Sequence, residues 1–324
     1  MVMRTLRRLQ PVFMVLALLF VAGLLRSQWD QLQNYQWRLS PGWLVVSGLL
    51  LLASWAMEVG IWRSLLALVG GPMDYGPALR IWFLSAVMRY IPGNIWQPLS
   101  MTVRCQGWGV RPEATLTSVA LYQAIILLAV APITALYIAV SGETGLGLLG
   151  DFLRGTAPWL VAATLIPVVA FLVRPQWLMA LINWGLHKIG REMLDARLTS
   201  RRLLALLGVA AVNWLLWGAS FAALTFGLSQ YSPAQMGELL PFLVLSYPIA
   251  YAIGFLSFIT PSGFGVREGA FYLLLAPLMG GGVVTVAALA MRVWTTIGEL
   301  IMAGISAIWE RVSVRADRPR IERV

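Results

Sequence analysis

From Ala114 to Val140, and again from Leu203 to Leu228, the chain carries no Asp, Glu, Lys or Arg. A helix needs only ~20 apolar residues to cross the ~30 Å hydrocarbon core of a bilayer. Composition points the same way: of 324 residues, 59% are hydrophobic and 12% charged, against about 25% charged in a soluble domain. Too few charges remain to cover a water-facing surface, so the outer face must meet lipid. The expected fold class is all-α integral membrane, a single polytopic domain over 1–324.

The net charge of +10 sits between the apolar runs and at the two termini. No contiguous basic soluble domain carries it, which argues against nucleic acid as a partner. The positive-inside rule and attraction to anionic headgroups account for it instead. With one cysteine (Cys105) and one histidine (His187) the chain has neither an internal disulfide nor a His/Cys metal site. No cofactor is expected.

Six full spans are expected, near 11–25, 43–62, 114–140, 157–173, 203–228 and 283–309. The first follows Arg4, Arg7 and Arg8 and lacks a small-x-small cleavage site, so 1–27 reads as a retained signal anchor. The loop 174–202 is the most basic, with Arg174, Lys188, Arg191, Arg197, Arg201 and Arg202 against Glu192 and Asp195, and is assigned to the cytoplasm. Both termini, including the tail 310–324, follow it there, while 141–156 and 229–238 lie outside. Within 174–202, Trp177, Leu178, Leu181, Ile182, Ile189 and Met193 recur at roughly helical spacing after Pro175, which predicts an amphipathic helix on the membrane face.

Two apolar stretches fit no simple span. Pro77 to Gln106 is interrupted at Ile91-Pro92-Gly93-Asn94, and Pro241 to Met279 at Thr260-Pro261-Ser262-Gly263-Phe264-Gly265. Proline removes a helix donor and glycine tolerates positive φ, so both sites favour a turn. As a helix Pro77 to Tyr90 would rise only ~21 Å, short of the hydrocarbon core. Both stretches are read as re-entrant hairpins. Positive-inside orientation makes the first enter from the cytoplasm and the second from outside. The halves 43–140 and 203–309 then form an inverted repeat, with irregular backbone lining a midplane site. Ordinary proline kinks in two conventional helices are the alternative.

Ionisable groups at membrane depth are expensive and default to functional candidates. Arg89 and Arg104 frame the first break, and Arg267 and Glu268 follow the second. Arg292, Thr295, Thr296 and Glu299 recur at i, i+3, i+4 and i+7, forming one polar stripe. That stripe faces protein or water, or holds an internal Arg292–Glu299 ion pair. For Glu58 and Arg80, placed near the interface, snorkelling is expected. Around Ser262, Gly263 and Gly265, backbone N–H groups can converge just before a half-helix begins. That geometry, with the Arg267 guanidinium, suits an anion. The candidate anion-binding residues are Arg89, Asn94, Arg104, Ser262, Gly263, Gly265 and Arg267, with Glu268 and Glu299 as counter-charges. The bland alternative for the second motif is a Gly-rich turn with a local Arg–Glu pair.

Arg89-Tyr90-Ile91-Pro92-Gly93-Asn94, followed by Pro261-Ser262-Gly263-Phe264-Gly265-Val266-Arg267-Glu268-Gly269, resembles the transmembrane family of lysylphosphatidylglycerol synthases, including its stand-alone flippase-like members. The resemblance implies a bacterial or archaeal cytoplasmic-membrane location and movement of a lipid or lipid-linked sugar between leaflets. Many relatives carry an acidic–basic pair in the span after the first motif, where this chain has Tyr122-Gln123. The soluble transferase domain of full-length synthases is not in this sequence, so lipid lysylation by it alone is not expected. The leading reading is a translocase for an anionic phospholipid or lipid-linked sugar, with membrane lipids as partners. The sequence has no Walker A motif, Asp-x-Asp pair or Gly-x-Ser-x-Gly elbow, and no catalytic residue is assigned. Alternatives are a polytopic enzyme of lipid or lipid-linked glycan metabolism, and a scaffold for an envelope-biosynthesis enzyme partner.

Overall fold

Apolar runs bounded by proline, glycine and capping residues give helices, and among the described residues every regular element is helical. A computed structural model describes residues 23, 26, 29–35, 37–90, 95–141, 150–188, 190–257 and 263–316. The elements are α1 (Trp29–Asn34), α2 (Pro41–Leu68), α3 (Tyr75–Ala86), a 3-10 turn (Val87–Tyr90), α4 (Trp96–Gln106), α5 (Pro112–Leu128), α6 (Val130–Ser141) and α7 (Gly150–Val173). Then come α8 (Pro175–Lys188), α9 (Ser200–Leu228), α10 (Pro233–Leu256), α11 (Val266–Met279) and α12 (Gly281–Ala316).

Five stretches are long and apolar enough to span: Pro41–Leu68, Pro112–Ser141, Ser200–Leu228, Pro233–Leu256 and Gly281–Val312. Four of them contain or overlap expected spans. The span expected at 11–25 lies outside the described residues. The one expected at 157–173 falls inside α7, whose 24 residues end at Val173, and α8 follows it across a bend of 96°. Pro175 stands at that bend, where its missing N–H and its ring disfavour a continuous helix. The bend sets α8 across α7, with Leu178, Met179 and Leu186 buried and Trp177, Leu181 and Trp184 exposed. Arg174 and Lys188 lie over the Trp177 and Trp184 rings at 5.8 and 5.4 Å, a pattern suited to a headgroup interface. Of the expected apolar face, Met193 is also exposed, and Ile189 lies outside the described residues.

The first broken stretch has short arms, α3 of 12 residues and α4 of 11, which rise only ~16–18 Å. In the second, α10 starts at Pro233, not Pro241, and its 24 residues reach ~36 Å, enough to span. The reason is local. Ser232 Oγ accepts from Gln235 N–H at 3.3 Å while Gln235 Oε1 accepts from Ser232 N–H at 2.9 Å. This capping box starts the helix early, and Pro241 and Pro248 are carried inside it.

The most extensive packing is between α2 and α9. Buried Ser47 and Ser220 exchange hydrogen bonds there: Ser47 Oγ donates to Ser220 O at 2.8 Å and Ser220 Oγ to Ser47 O at 2.9 Å. Small hydroxyl residues let membrane helices approach and bond where no hydrophobic effect drives them together. α3 packs on α12, and α10 packs on α6. Each broken stretch therefore rests on the closing helix of the other half.

Candidate functional site

At the second break the local sequence dictates the geometry. Gly263 and Gly265 adopt φ of +65° and +81°, values that L side chains avoid. A Cβ on Gly263 would lie 2.8 Å from the Gly254 backbone, so this turn closes directly on α10. Beyond it Glu268, in the first turn of α11, accepts from Gly265 N–H at 2.7 Å. Its other oxygen accepts from Arg292 Nε of α12 at 2.8 Å. Glu268 is 1% exposed, so its charge is held by a helix N-terminus and a guanidinium together. Arg292 also lies over the Phe264 ring at 4.9 Å.

Arg267, one residue earlier, is held differently. Its guanidinium lies 4.5 Å from the Tyr247 ring centre, 5.7 Å from Phe271 and 5.9 Å from Tyr251. No carboxylate lies within ion-pair distance of it among the described residues. Aromatic faces hold a cation through their quadrupoles and leave the edge of the guanidinium able to donate.

The first break contributes Arg89, from the 3-10 turn just before it. Arg89 Nη1 donates to Glu299 Oε1 of α12 at 2.8 Å, with side-chain exposures of 33% and 5%. Arg104, at the end of α4, lies 3.7 Å from Glu310. Helix α12 is thus a rail meeting Glu268, Arg89 and Arg104 in turn. Arg104 joins it 11 residues past Glu299, ~16 Å along the axis, and is not gathered with Arg89 and Arg267. The internal Arg292–Glu299 pair does not form. Residues seven apart are ~10 Å apart along a helix, and each finds a closer partner off its own helix. Thr295 Oγ1 donates back to Met291 O and Arg292 O at 2.9 and 3.0 Å, which satisfies its hydroxyl within α12. Thr296 is half-buried on the same stripe. Asn94 and Ser262 lie outside the described residues.

Several polar groups that the sequence reading left outside the site converge on the same place. Glu58 does not snorkel: α2 continues to Leu68, which leaves Glu58 about 15 Å from its C-terminal end. Its carboxylate accepts from Trp217 Nε1 of α9 at 2.8 Å. Arg89, Glu299, Tyr122 and Asn213 are its electrostatic neighbours. Asn213 is fully buried, and its Oδ1 accepts from Ser54 Oγ at 2.9 Å. Tyr247 stacks on Trp217 at 5.4 Å and 11°, and Tyr251 adjoins Gln123. Two signals could have found some of these residues. Taking the span through to Leu68 puts Glu58 at depth, and Tyr247 and Tyr251, four apart, share one face of α10. Arg80, by contrast, lies over Trp108 and Trp309 at 5.8 and 5.1 Å, near helix ends as an interfacial arginine should.

Two comparisons with known proteins bear on this arrangement. The family model described as Lysylphosphatidylglycerol synthase TM region matches residues 9–303, which takes in both breaks and the α12 stripe. A search of curated proteins gives no match.

Proposed function

The chain belongs to the lysylphosphatidylglycerol synthase transmembrane-region family, and we propose that it binds an anionic phospholipid or lipid-linked sugar between its halves and moves it across the cytoplasmic membrane. The family is one of membrane proteins tied to lipid metabolism or flippase activity, and several apolar helices make this chain multi-pass. The observation that carries the finer reading is Arg267. It is a cation at membrane depth, caged by three rings, while the neighbouring Arg89 and Arg292 already hold Glu299 and Glu268. A phosphate oxygen is the natural partner for such a guanidinium edge. The apolar tails stay in the bilayer during the transfer, so the protein need shelter only the headgroup. No catalytic step is part of this proposal.

The packing supports an inverted arrangement of the halves. α2 meets its counterpart α9 through reciprocal serine bonds, and α3 on α12 mirrors α10 on α6. Rocking one half against the other would expose a headgroup held between them to each leaflet in turn. In this proposal the termini and the loop around Lys188 are cytoplasmic.

A leaflet-sidedness assay tests the function. Liposomes holding the purified protein should exchange an anionic phospholipid or lipid-linked sugar between leaflets faster than empty liposomes, and faster than they exchange phosphatidylcholine. Exchange equal to that of empty liposomes for every lipid contradicts it.

A further inference from the structure

We propose that Glu58 is a proton-carrying site that takes up one proton when an anionic headgroup enters beside Arg267 and Arg89; the coupling rests on the lipid reading above, whereas the proton site does not. Glu58 sits well inside a continuous 28-residue helix. Trp217 Nε1 donates to its carboxylate at 2.8 Å, and no cation lies within ion-pair distance among the described residues. Trp217 is itself walled by Trp55 and Tyr247 at 6.3 and 5.4 Å. A carboxylate so placed is costly to keep charged, whereas a carboxylic acid is not.

The groups facing Glu58 come from every side. They are Arg89 of the 3-10 turn, Tyr122 of α5, Asn213 and Trp217 of α9, and Glu299 of α12. Tyr247 and Tyr251 of α10 feel both Glu58 and Arg267 of α11. The formal charges can be counted. Arg89 cancels Glu299, and Arg292 cancels Glu268. That leaves Arg267 and Glu58; with Glu58 ionised, the six named groups sum to zero in the empty site. A phosphate diester entering beside Arg267 brings one negative charge. The site stays neutral only if the Glu58 carboxylate binds a proton and becomes the acid. No bond of the lipid breaks; the proton comes from the aqueous side open at that moment and leaves with the headgroup. The coupled ion is therefore a proton, moving in the same direction as the lipid.

The sign follows from linkage. If the occupied site holds one more proton than the empty one, affinity falls as pH rises, at most ~tenfold per pH unit. The test measures binding of phosphatidylglycerol to the purified full-length protein from about pH 5 to 9, alongside the infrared C=O band of protonated carboxyl groups. Glu58→Gln keeps the volume and an acceptor for Trp217 Nε1. The expected result is a pH-dependent affinity in the wild type and a flat one in Glu58→Gln, together with a carboxyl band that the variant lacks. Should Glu58→Gln not fold, Trp217→Phe removes the indole hydrogen bond to the carboxylate. It should shift the midpoint of the band to higher pH, and an unmoved midpoint overturns the assignment. A wild-type affinity independent of pH overturns the coupling while leaving the lipid reading intact. If phosphatidylglycerol does not bind at any pH, that reading fails on its own. The band then decides: one lost in Glu58→Gln supports the proton site, and one unchanged overturns it.

Discussion

In the first broken segment Arg89 sits in a 3-10 turn and meets Glu299 at 2.8 Å; in the second, Arg267 sits in the first turn of a helix and, among the described residues, meets aromatic side chains and no carboxylate. The surroundings differ accordingly. The first break has short arms, and α4 begins at Trp96, after an Ile95 that offers no side-chain cap. The second has a spanning arm, two positive-φ glycines and a carboxylate that caps the following helix. An arginine that neutralises a carboxylate in the other half works as a strut. An arginine stacked on rings contributes less to holding the fold and keeps its edge for a ligand.

The largest expected effect breaks the strut. Glu299→Gln leaves Arg89 without its carboxylate at membrane depth, where stranding one member of a buried pair costs ~3–5 kcal/mol. The partial exposure of Arg89 puts the expectation at the lower end. Arg89→Leu combined with Glu299→Leu should recover much of the loss, since both charges then go. Arg267→Leu forfeits ring contacts worth ~0.5–2 kcal/mol and strands no buried carboxylate among the described residues. Denaturation of the purified variants checks the contrast, and equal losses for Glu299→Gln and Arg267→Leu would erase the distinction between the two arginines.

A smaller effect sharpens the picture of the second turn. Gly263→Ala asks a Cβ to adopt φ +65° and to sit 2.8 Å from the Gly254 backbone, a strain of ~1–3 kcal/mol. Gly237→Ala lies on the exposed face of α10 with open space around it. There the methyl group should stabilise by ~0.5–1 kcal/mol. Melting temperatures should therefore move in opposite directions.

Much of this was legible in the sequence because lipid imposes strict rules. Uncharged runs had to be helices, and Pro-Gly clusters had to interrupt them, so α2, α5 with α6, α9 and α12 fell where expected. The capping box at Ser232 was weaker in sequence than the apolar run at Pro241, and the start of α10 was misplaced. Arg267 and Glu268 stood out because charge at depth is rare. Glu58 was expected to snorkel because a span over 43–62 puts this central carboxylate at an interface. The choice of partners was the least legible feature. Arg292 and Glu299 share a helix face, yet each bonds to a residue brought in by tertiary packing from another helix. No spacing rule along one chain segment encodes such a pairing.

The most direct measurement takes Arg267→Ala and Arg267→Lys and records lipid affinity and melting temperature on the same preparations. A charge-assisted contact is worth ~1.5–3 kcal/mol, so Arg267→Ala should weaken binding of an anionic phospholipid roughly tenfold or more. Arg267→Lys should restore only part of it, because lysine keeps the charge but loses the planar fork. Both proteins should melt close to the wild type. Unchanged affinity in a destabilised Arg267→Ala protein would contradict this, making Arg267 a part of the architecture and placing the headgroup elsewhere.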